Sequence, residues 1–221
     1  PGVVRSGLAR RDQKELRARC SRTGERVLLS EPRGGTRVSD YEYALPDDLI
    51  ARYPAERRDG SRLLEVGLDG GLADRTFDQL PALMRAGDVL VVNESRVLPA
   101  RLLGRKPTGA RAEFLLLRPA PGAGSFDDAI EWEALVRPGA KLKPGRTVEI
   151  ADDLRVDIVE SVAGGGRIVR LVTPLSSSEA IRKYGHMPLP PYIGRADEPL
   201  DRDRYQTVYA RVPGSVAAPT A

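Results

Sequence analysis

Cysteine and histidine are nearly absent from this sequence. Its 221 residues include a single cysteine, Cys20, and a single histidine, His186. One cysteine excludes a disulfide bond within the chain. Transition-metal centres in proteins are built mainly from several Cys and His ligands, so we predict that this chain holds no metal.

Long apolar runs are missing as well. No stretch of the sequence approaches the roughly 18 consecutive apolar residues that indicate a transmembrane helix. Residues 1–20 contain basic side chains but lack the apolar segment of a secretory signal peptide. These absences predict a protein with no membrane span and a cytoplasmic location.

Charge is unevenly distributed along the chain. The sequence has 35 Lys and Arg residues against 31 Asp and Glu residues. Residues 1–40 hold ten of the basic and five of the acidic side chains, so the remainder is nearly neutral. The basic balance therefore says little about nucleic-acid binding by the folded part. We predict a disordered basic extension over residues 1–37, because this segment is rich in Arg, Gly and Ser and lacks sustained apolar periodicity.

Residues 38–107 have the pattern of the first part of an α/β core. Short helices are predicted over Leu45–Ala51 and Phe77–Arg85. Between them, Asp69-Gly70-Gly71 is a turn signal that predicts a hairpin. The continuous apolar run in Asp88–Val92 is typical of a strand that is buried on both faces.

A polar cluster follows this apolar run directly. Asn93, Ser95 and Arg96 lie at the carboxyl end of the predicted strand, which is where ligands bind in open α/β sheets. Their amide, hydroxyl and guanidinium groups suit a ribose, a carboxylate or a phosphate. The alternative interpretation is an Asx-type turn that ends the strand.

Residues 108–176 have a different character, since short β-rich segments alternate there with Gly and Pro turns. The β-rich segments are Ala112–Leu117, Glu131–Val136, Thr147–Ile150, Leu154–Glu160 and Arg167–Val172. Their spacing predicts a small barrel or sandwich. Gly164-Gly165-Gly166 predicts a hairpin tip, because it joins two strands and opens no helix. A capped helix ending at Tyr184 then returns the chain to the core, so we predict that this region is an insertion.

Residues 177–221 contain the most distinctive stretch, His186-Met187-Pro188-Leu189-Pro190-Pro191-Tyr192-Ile193. Its prolines fix φ and predict a rigid, extended loop. His186 has the side chain best suited to proton transfer near neutral pH. The tyrosines of this region offer rings that can face a cation or stack on a base. The alternative is a packed, hydrogen-bonded structural histidine on a surface loop.

Several motifs occur here in the same order as in a known family. They are the His186–Ile193 stretch, Asp203–Tyr209 and Pro213–Ala221, and upstream Tyr43–Pro54, Arg62-Leu63-Leu64 and Gly87–Leu102. On these residues the chain resembles the S-adenosylmethionine:tRNA ribosyltransferase-isomerase family of queuosine biosynthesis over roughly residues 38–221. The resemblance implies an α/β fold. In such a fold a three-layer α/β/α core, incomplete here, is interrupted by an inserted small antiparallel β-barrel.

The resemblance also implies an activity. Members of the family move the ribosyl moiety of S-adenosylmethionine onto 7-aminomethyl-7-deazaguanine in tRNA, which gives epoxyqueuosine and releases adenine and methionine. S-adenosylmethionine is thus the expected co-substrate, and tRNA with the 7-deazaguanine precursor at the wobble position is the expected partner. A monomer is expected for the full-length family. No metal is expected, because the sulfonium itself acidifies the adjacent C5′ hydrogens and is a good leaving group.

The site implied by the resemblance is spread over several segments. His186 is the expected catalytic base, and Arg105 and Lys106 are the expected tRNA contacts. The expected substrate-binding residues are Asn93, Ser95, Arg96, Arg101, Pro190, Tyr192, Tyr205, Gln206, Thr207, Tyr209, Ala218, Pro219 and Thr220.

Two other readings of the chain stay open. Family members continue beyond the equivalent of Ala221, so we expect these 221 residues by themselves to be an inactive fragment. The β-rich region could instead be a non-catalytic RNA-binding module in the manner of an OB fold. Trp132, Phe114 and Phe126 are its only Trp and Phe residues, which is few for a base-stacking platform.

Overall fold

The computed structural model describes residues 37–217. The chain forms two compact units, Pro1–Ile50 and Ala51–Ala221. In the first unit, the described residues include two 3-10 helices, Val38–Tyr41 and Asp47–Leu49.

The two predictions for the first unit have different outcomes. The helix expected over Leu45–Ala51 is only the 3-10 turn at Asp47–Leu49. Leu45 and Leu49 are both exposed, so a longer helix would have no buried face to stabilise it. The basic extension predicted over residues 1–37 lies outside the described residues, apart from Arg37.

The second unit begins with a β-hairpin. After a 3-10 helix at Arg58–Gly60, strands β1 (Arg62–Val66) and β2 (Leu72–Thr76) pair antiparallel. Gly67 N donates to Gly71 O across the turn (2.8 Å). The hairpin predicted from the Asp-Gly-Gly turn signal is confirmed.

The helix predicted over Phe77–Arg85 is shorter and divided. A 3-10 helix covers Phe77–Gln79, and helix α1 covers Leu80–Leu83. Pro81 has no N–H to donate to the preceding turn, so the two pieces do not merge into one α-helix. The chain is already extended at Met84.

The strand predicted over Asp88–Val92 is wrong. This segment pairs with no other strand within residues 37–217. Val89 and Val91 expose 87% and 75% of their surface. A strand is stable only where a neighbouring segment takes up its backbone hydrogen bonds, and the described residues supply none here.

Six strands form a closed antiparallel barrel. In chain order they are β4 (Arg101–Arg105), β5 (Arg111–Pro119), β6 (Glu131–Arg137), β7 (Thr147–Ala151), β8 (Leu154–Ser161) and β9 (Arg167–Val172). Strand β3 (Ser95–Val97) precedes them in the chain and lies outside the barrel. Their order around the barrel is β4-β5-β6-β9-β8-β7, and Arg105 pairs with Glu149 to close it. The predicted barrel is confirmed, but it begins before residue 108. Arg101, Gly104 and Arg105 interrupt the apolar pattern of β4, which is why the sequence did not reveal that strand.

Alternate side chains of the strands fill the barrel. Phe114 and Leu116 of β5 and Trp132 of β6 are fully buried. The Trp132 ring meets Phe126 edge to face at 5.3 Å, and its Nε1 donates to Ala129 O (2.8 Å). The large aromatic side chains of the barrel therefore serve its core.

Helix α2 (Ser177–Tyr184) packs on the same core. Ser176 Oγ accepts a hydrogen bond from Glu179 N, and the Glu179 carboxylate accepts one from Ser176 N. This capping box fixes the start of the helix. Ala180 and Ile181 are buried in the cluster that fills the barrel, so the predicted helix is confirmed.

Outside the barrel, the chain forms a parallel pair. Strand β10 (Val212–Ser215) lies parallel to β3, and Leu98 N donates to Ser215 O just beyond it (2.8 Å). The parallel pair and the barrel confirm the mixed α/β class with an inserted barrel. The α-helices of the described part other than α2 are α1 and α3 (Asp201–Arg204), too few for two complete layers, so the three-layer α/β/α core stays a prediction. None of the described helices has the length and apolar character needed to cross a membrane.

Candidate functional site

The proline-rich loop is attached to the barrel by backbone hydrogen bonds. His186 N donates to Arg101 O (2.9 Å), and Arg101 N donates to His186 O (3.2 Å). Gly185 has no room for a side chain, because a Cβ there would collide with the carbonyl oxygens of Pro99 and Ile181. The chain thus passes from α2 directly against the start of β4. The predicted site residues Arg101 and His186 lie side by side.

Beyond His186 the loop is extended and then turns. Met187 and Leu189 are buried, whereas Tyr192 is 65% exposed. Pro190 precedes a 3-10 helix over Pro191–Ile193, which ends at Gly194 in the left-handed conformation (φ 68°). The buried residues anchor the loop, and the Tyr192 ring remains accessible.

The His186 ring is held by a carboxylate. His186 Nδ1 lies 2.8 Å from Asp197 Oδ1, and Asp197 Oδ2 accepts a hydrogen bond from Met187 N (2.9 Å). The Asp197 side chain is 12% exposed and that of His186 42%. A carboxylate only accepts hydrogen bonds, so Nδ1 carries the proton and Nε2 is the basic nitrogen of the neutral ring. The histidine is therefore both fixed in orientation and partly open to solvent.

Three predicted residues meet beside β3. Gln206 Nε2 donates to Val97 O, and Val97 N donates to Gln206 Oε1, both at 2.8 Å. Thr207 Oγ1 donates to Asn93 O (3.0 Å). The structure thus brings Asn93, Gln206 and Thr207 together, but these polar groups bond to the chain itself.

The polar cluster before β3 forms a local turn. Asn93 Oδ1 accepts hydrogen bonds from Ser95 N (2.9 Å) and Ser95 Oγ (2.6 Å). This is the Asx-type turn that the sequence left open as an alternative. Arg96, the next residue on β3, is exposed.

Arg101 is also engaged by a charged neighbour. Its Nε and Nη2 donate to the Oε1 and Oε2 atoms of Glu113 at 2.8 and 3.1 Å, a bidentate pair between β4 and β5. The pair lines an open cavity of about 1240 Å³ on the barrel. Arg105 also lines this cavity and donates from Nη1 to Gly109 O (3.2 Å). Lys106 lines a separate groove instead.

Sequence reasoning missed an ion-pair cluster beside the loop. Arg195 makes two hydrogen bonds of 2.7 Å to Asp201 and donates to Arg52 O (2.9 Å). Its guanidinium carbon lies 4.3 Å from the Tyr53 ring centroid, and Tyr53 OH donates to Glu198 Oε1 (2.8 Å). The Arg195 hydrogen bonds lower the pKa of Asp201, and the bond to Glu198 raises the pKa of Tyr53. The cluster holds the segment after the proline-rich loop against residues 52–53.

A weak signal for these missed residues was present. Arg195, Asp197 and Asp201 follow the proline-rich loop closely, and charged side chains beside a rigid loop are candidates for holding it. The sequence gives no indication of which charges pair, because Tyr53 and Arg52 lie far away along the chain.

The remaining predicted residues lie towards the end of the chain. Tyr205 follows α3 and is half-buried, whereas Tyr209 is 51% exposed. Ala218, Pro219 and Thr220 lie outside the described residues. Within residues 37–217, no group of three or more His, Cys, Asp and Glu side chains is arranged to hold a metal ion. The expected absence of a metal stays a prediction.

Comparison with known proteins decides the family. A family model described as queuosine biosynthesis protein matches residues 38–221. The chain belongs to this family. The match contains the barrel, His186 and Asp197, and it covers the same range as the resemblance found from the sequence motifs.

Members of the queuosine biosynthesis family that resemble this chain carry a specific name. The S-adenosylmethionine:tRNA ribosyltransferase-isomerase of Syntrophomonas wolfei is 50% identical over 189 residues, which are 84% of this chain and 51% of that protein. The protein of the same name from Aquifex aeolicus is 43% identical over 188 residues, 84% of this chain and 53% of that protein. The chain spans about half the length of the curated relatives it matches.

A solved structure is similar in sequence. The crystal structure of an S-adenosylmethionine tRNA ribosyltransferase from Thermotoga maritima is 33% identical to this chain. The alignment covers 69% of this chain and 51% of that one, with a TM-score of 0.33.

Proposed function

We propose that the protein containing this chain is an S-adenosylmethionine:tRNA ribosyltransferase-isomerase. It moves the ribosyl moiety of S-adenosylmethionine onto 7-aminomethyl-7-deazaguanine at the wobble position of tRNA and isomerises it to epoxyqueuosine. Adenine and methionine leave. The observation that carries the proposal is the 40–50% identity with curated relatives of that name. A non-catalytic RNA-binding barrel is disfavoured by the same observation.

His186 is the base of this reaction. The sulfonium of S-adenosylmethionine acidifies the adjacent C5′ hydrogens, and His186 Nε2 accepts one of these protons. Asp197 supports this role because its hydrogen bond to Nδ1 orients the ring and favours the imidazolium that forms. An aspartate that orients a catalytic histidine in this way is common in hydrolytic enzymes.

S-adenosylmethionine binds along the loop that carries His186. The exposed rings of Tyr192 and Tyr209 are available to the sulfonium or to adenine. The other residues that contact the ligand are Arg96, Arg101, Pro190, Tyr205, Ala218, Pro219 and Thr220. Asn93, Ser95, Gln206 and Thr207 shape this site through the hydrogen bonds that hold β3.

The tRNA is held on the barrel side. Arg105 and Lys106 lie at the end of the β4–β5 hairpin and contact the phosphate backbone. Because the substrate is tRNA, the protein works in the cytoplasm.

Adenine release tests the proposed function. The whole protein is incubated with S-adenosylmethionine and with tRNA that carries the 7-aminomethyl-7-deazaguanine precursor, and free adenine is measured by chromatography. We expect adenine and methionine in equal amounts, and only with precursor-bearing tRNA. A control tRNA with guanine at the wobble position should give none. Adenine release that is independent of the tRNA would contradict the proposal.

A further inference from the structure

A small groove on the barrel is lined by basic residues without any acidic one. We call it the basic groove; its charged residues are Lys106, Lys141, Lys143 and Arg146, and its volume is about 610 Å³. The turn between β4 and β5 supplies Lys106, and the loop between β6 and β7 supplies the other three. Like charges placed so close repel one another, so such a set indicates a binding partner of opposite charge.

The larger cavity on the barrel shows that this set is unusual for the molecule. Its lining also contains arginines, but Glu113, Glu149, Asp152 and Asp153 lie among them. Arg101 is neutralised there by Glu113. In the basic groove, by contrast, none of the four cations is in an ion pair with a carboxylate of residues 37–217. Asp157 accepts a hydrogen bond from Thr147 Oγ1 at the groove (2.8 Å), but its ion pair is with Arg155 (3.6 Å).

Hydrogen bonds from Arg167 hold the loop that carries three of these cations. Arg167 Nε donates to Leu142 O and Arg167 Nη2 to Gly139 O, both at 2.9 Å. Its Nη1 donates to Gly165 O (3.0 Å) and Gly166 O (2.8 Å). The Arg167 guanidinium therefore links the segment with Lys141 and Lys143 to the tip of the β8–β9 hairpin. The backbone that carries these two lysines is fixed as a result.

The two turns beside the groove are also fixed. Arg146 N donates to Lys143 O (3.2 Å), with Gly145 between them in the left-handed region (φ 80°) that favours glycine. Gly145 N donates to Ile158 O (2.8 Å), which anchors the turn to β8. On the other side, Gly109 N donates to Lys106 O (2.8 Å). The backbone of the groove is preorganised, and only the side-chain ends must be ordered on binding.

We propose that the basic groove binds consecutive phosphate groups of the tRNA backbone, and this inference rests on the proposed function. Several unpaired cations in an open groove suit a chain of phosphates, since each neutralised phosphate releases counterions. Lysine serves such contacts as a mobile point charge. The groove thus adds Lys141, Lys143 and Arg146 to the contact expected at Lys106.

The test compares two variants of the full chain that each lose three positive charges. The groove variant carries Lys141→Gln, Lys143→Gln and Arg146→Gln. The matched control carries Arg62→Gln, Arg85→Gln and Arg182→Gln, which are exposed positions outside the groove. Binding to an unmodified tRNA transcript is measured by fluorescence anisotropy over a range of salt concentrations. Circular dichroism verifies that each variant is folded, and the basic N-terminal segment is the same in all of them.

Each lost phosphate contact reduces the magnitude of the slope of log K against log salt concentration by about 1. The slope of the groove variant should therefore be smaller by about 3, and the variant should bind tRNA at least tenfold more weakly. The control variant should keep the wild-type slope. Equal slopes in the two variants would overturn the proposal, as would a wild-type chain that binds no tRNA.

A measurement on the unsubstituted chain covers the case in which the groove variant fails to fold. The chain is acetylated with and without tRNA, and the modified lysines are identified by mass spectrometry. Lys141 and Lys143 should be protected by tRNA, while Lys183 should not. Protection by inorganic pyrophosphate alone, with none by tRNA, would indicate a small-anion site and overturn the proposal. Neither binding measurement needs S-adenosylmethionine, so a failure of the proposed reaction would appear only in the adenine assay.

Discussion

At the scale of single residues, the Asp197 carboxylate is shared between the His186 ring and the Met187 backbone. The backbone bond fixes the carboxylate, and the fixed carboxylate sets which His186 nitrogen is basic. A base must meet its proton in the right orientation, so the role proposed for His186 depends on this arrangement as well as on the histidine itself.

Substitution of the pair should separate chemistry from binding. Asp197→Asn keeps the size of the side chain but removes the charge that favours the imidazolium, so we expect kcat for adenine release by the whole protein to fall about 10²-fold. KM for S-adenosylmethionine should change little. His186→Ala should lower kcat at least as much, and Asp127→Asn, an exposed control, should not. Wild-type kcat in His186→Ala would reduce the histidine to a structural residue.

The Arg195–Asp201 pair should make the free energy of unfolding depend on pH in the acidic range. Arg195 lowers the pKa of Asp201 in the folded chain, whereas the unfolded value is about 3.9. The contribution of the pair to the free energy of unfolding is therefore fully present above about pH 4. It is lost as the pH falls through the lower pKa that Asp201 has in the folded chain. Asp201→Asn should reduce the free energy of unfolding by about 3 kcal/mol at neutral pH, and by less in acid. Urea unfolding at several pH values measures this, and a difference that stays constant into acid would count against the pair.

The sequence motifs singled out candidate residues but not the residues that they contact. His186 and Gln206, singled out from motifs, are hydrogen-bonded to β4 and β3, and Thr207 is hydrogen-bonded to Asn93 just before β3. Asp197 was not found, because a hydrogen bond across a loop leaves no periodic trace in the sequence. The same holds for Tyr53, which meets Arg195 from a distant part of the chain.

Among the helices and strands, sequence patterns predicted those whose hydrogen-bond partners lie close by in the sequence. The β1–β2 hairpin, α2 and the strands from β5 to β9 were recognised, because alternation, caps and turns are encoded next to each other in the chain. Asp88–Val92 has the composition of a buried strand, yet its hydrogen bonds depend on a partner that its own residues do not specify. The parallel pairing of β3 with β10 was missed for the same reason.

The junction between α2 and the His186 loop should tolerate no side chain. In Gly185→Ala the added methyl group would meet the carbonyl oxygens of Pro99 and Ile181, so β4 and the loop must move apart. We expect a loss of about 2 to 3 kcal/mol in the free energy of unfolding. Gly139→Ala is the control, because a methyl group there has nothing within 4 Å. Thermal unfolding compares the two, and an unchanged midpoint in Gly185→Ala would show that the junction yields easily.

At the scale of the whole molecule, charge and length set what the chain can do. The excess of positive charge lies in residues 1–40, whereas within residues 37–217 the basic groove gathers four cations that form no ion pair with a described carboxylate. The chain also spans about half the length of its curated relatives, so the proposed reaction is to be tested with the whole protein. The candidate site consists of His186 and the contacts that hold it.

In the proposed reaction the ribosyl moiety of S-adenosylmethionine, and not its methyl group, is transferred to tRNA. The most direct measurement supplies the whole protein with precursor-bearing tRNA and S-adenosylmethionine labelled with ¹³C either in the ribose or in the methyl group, and then determines the masses of the digested nucleosides. We expect the ribose label to enter the wobble nucleoside as epoxyqueuosine and the methyl label to leave with methionine. A methyl label in the tRNA, or no label in it from either form, would contradict the proposed reaction.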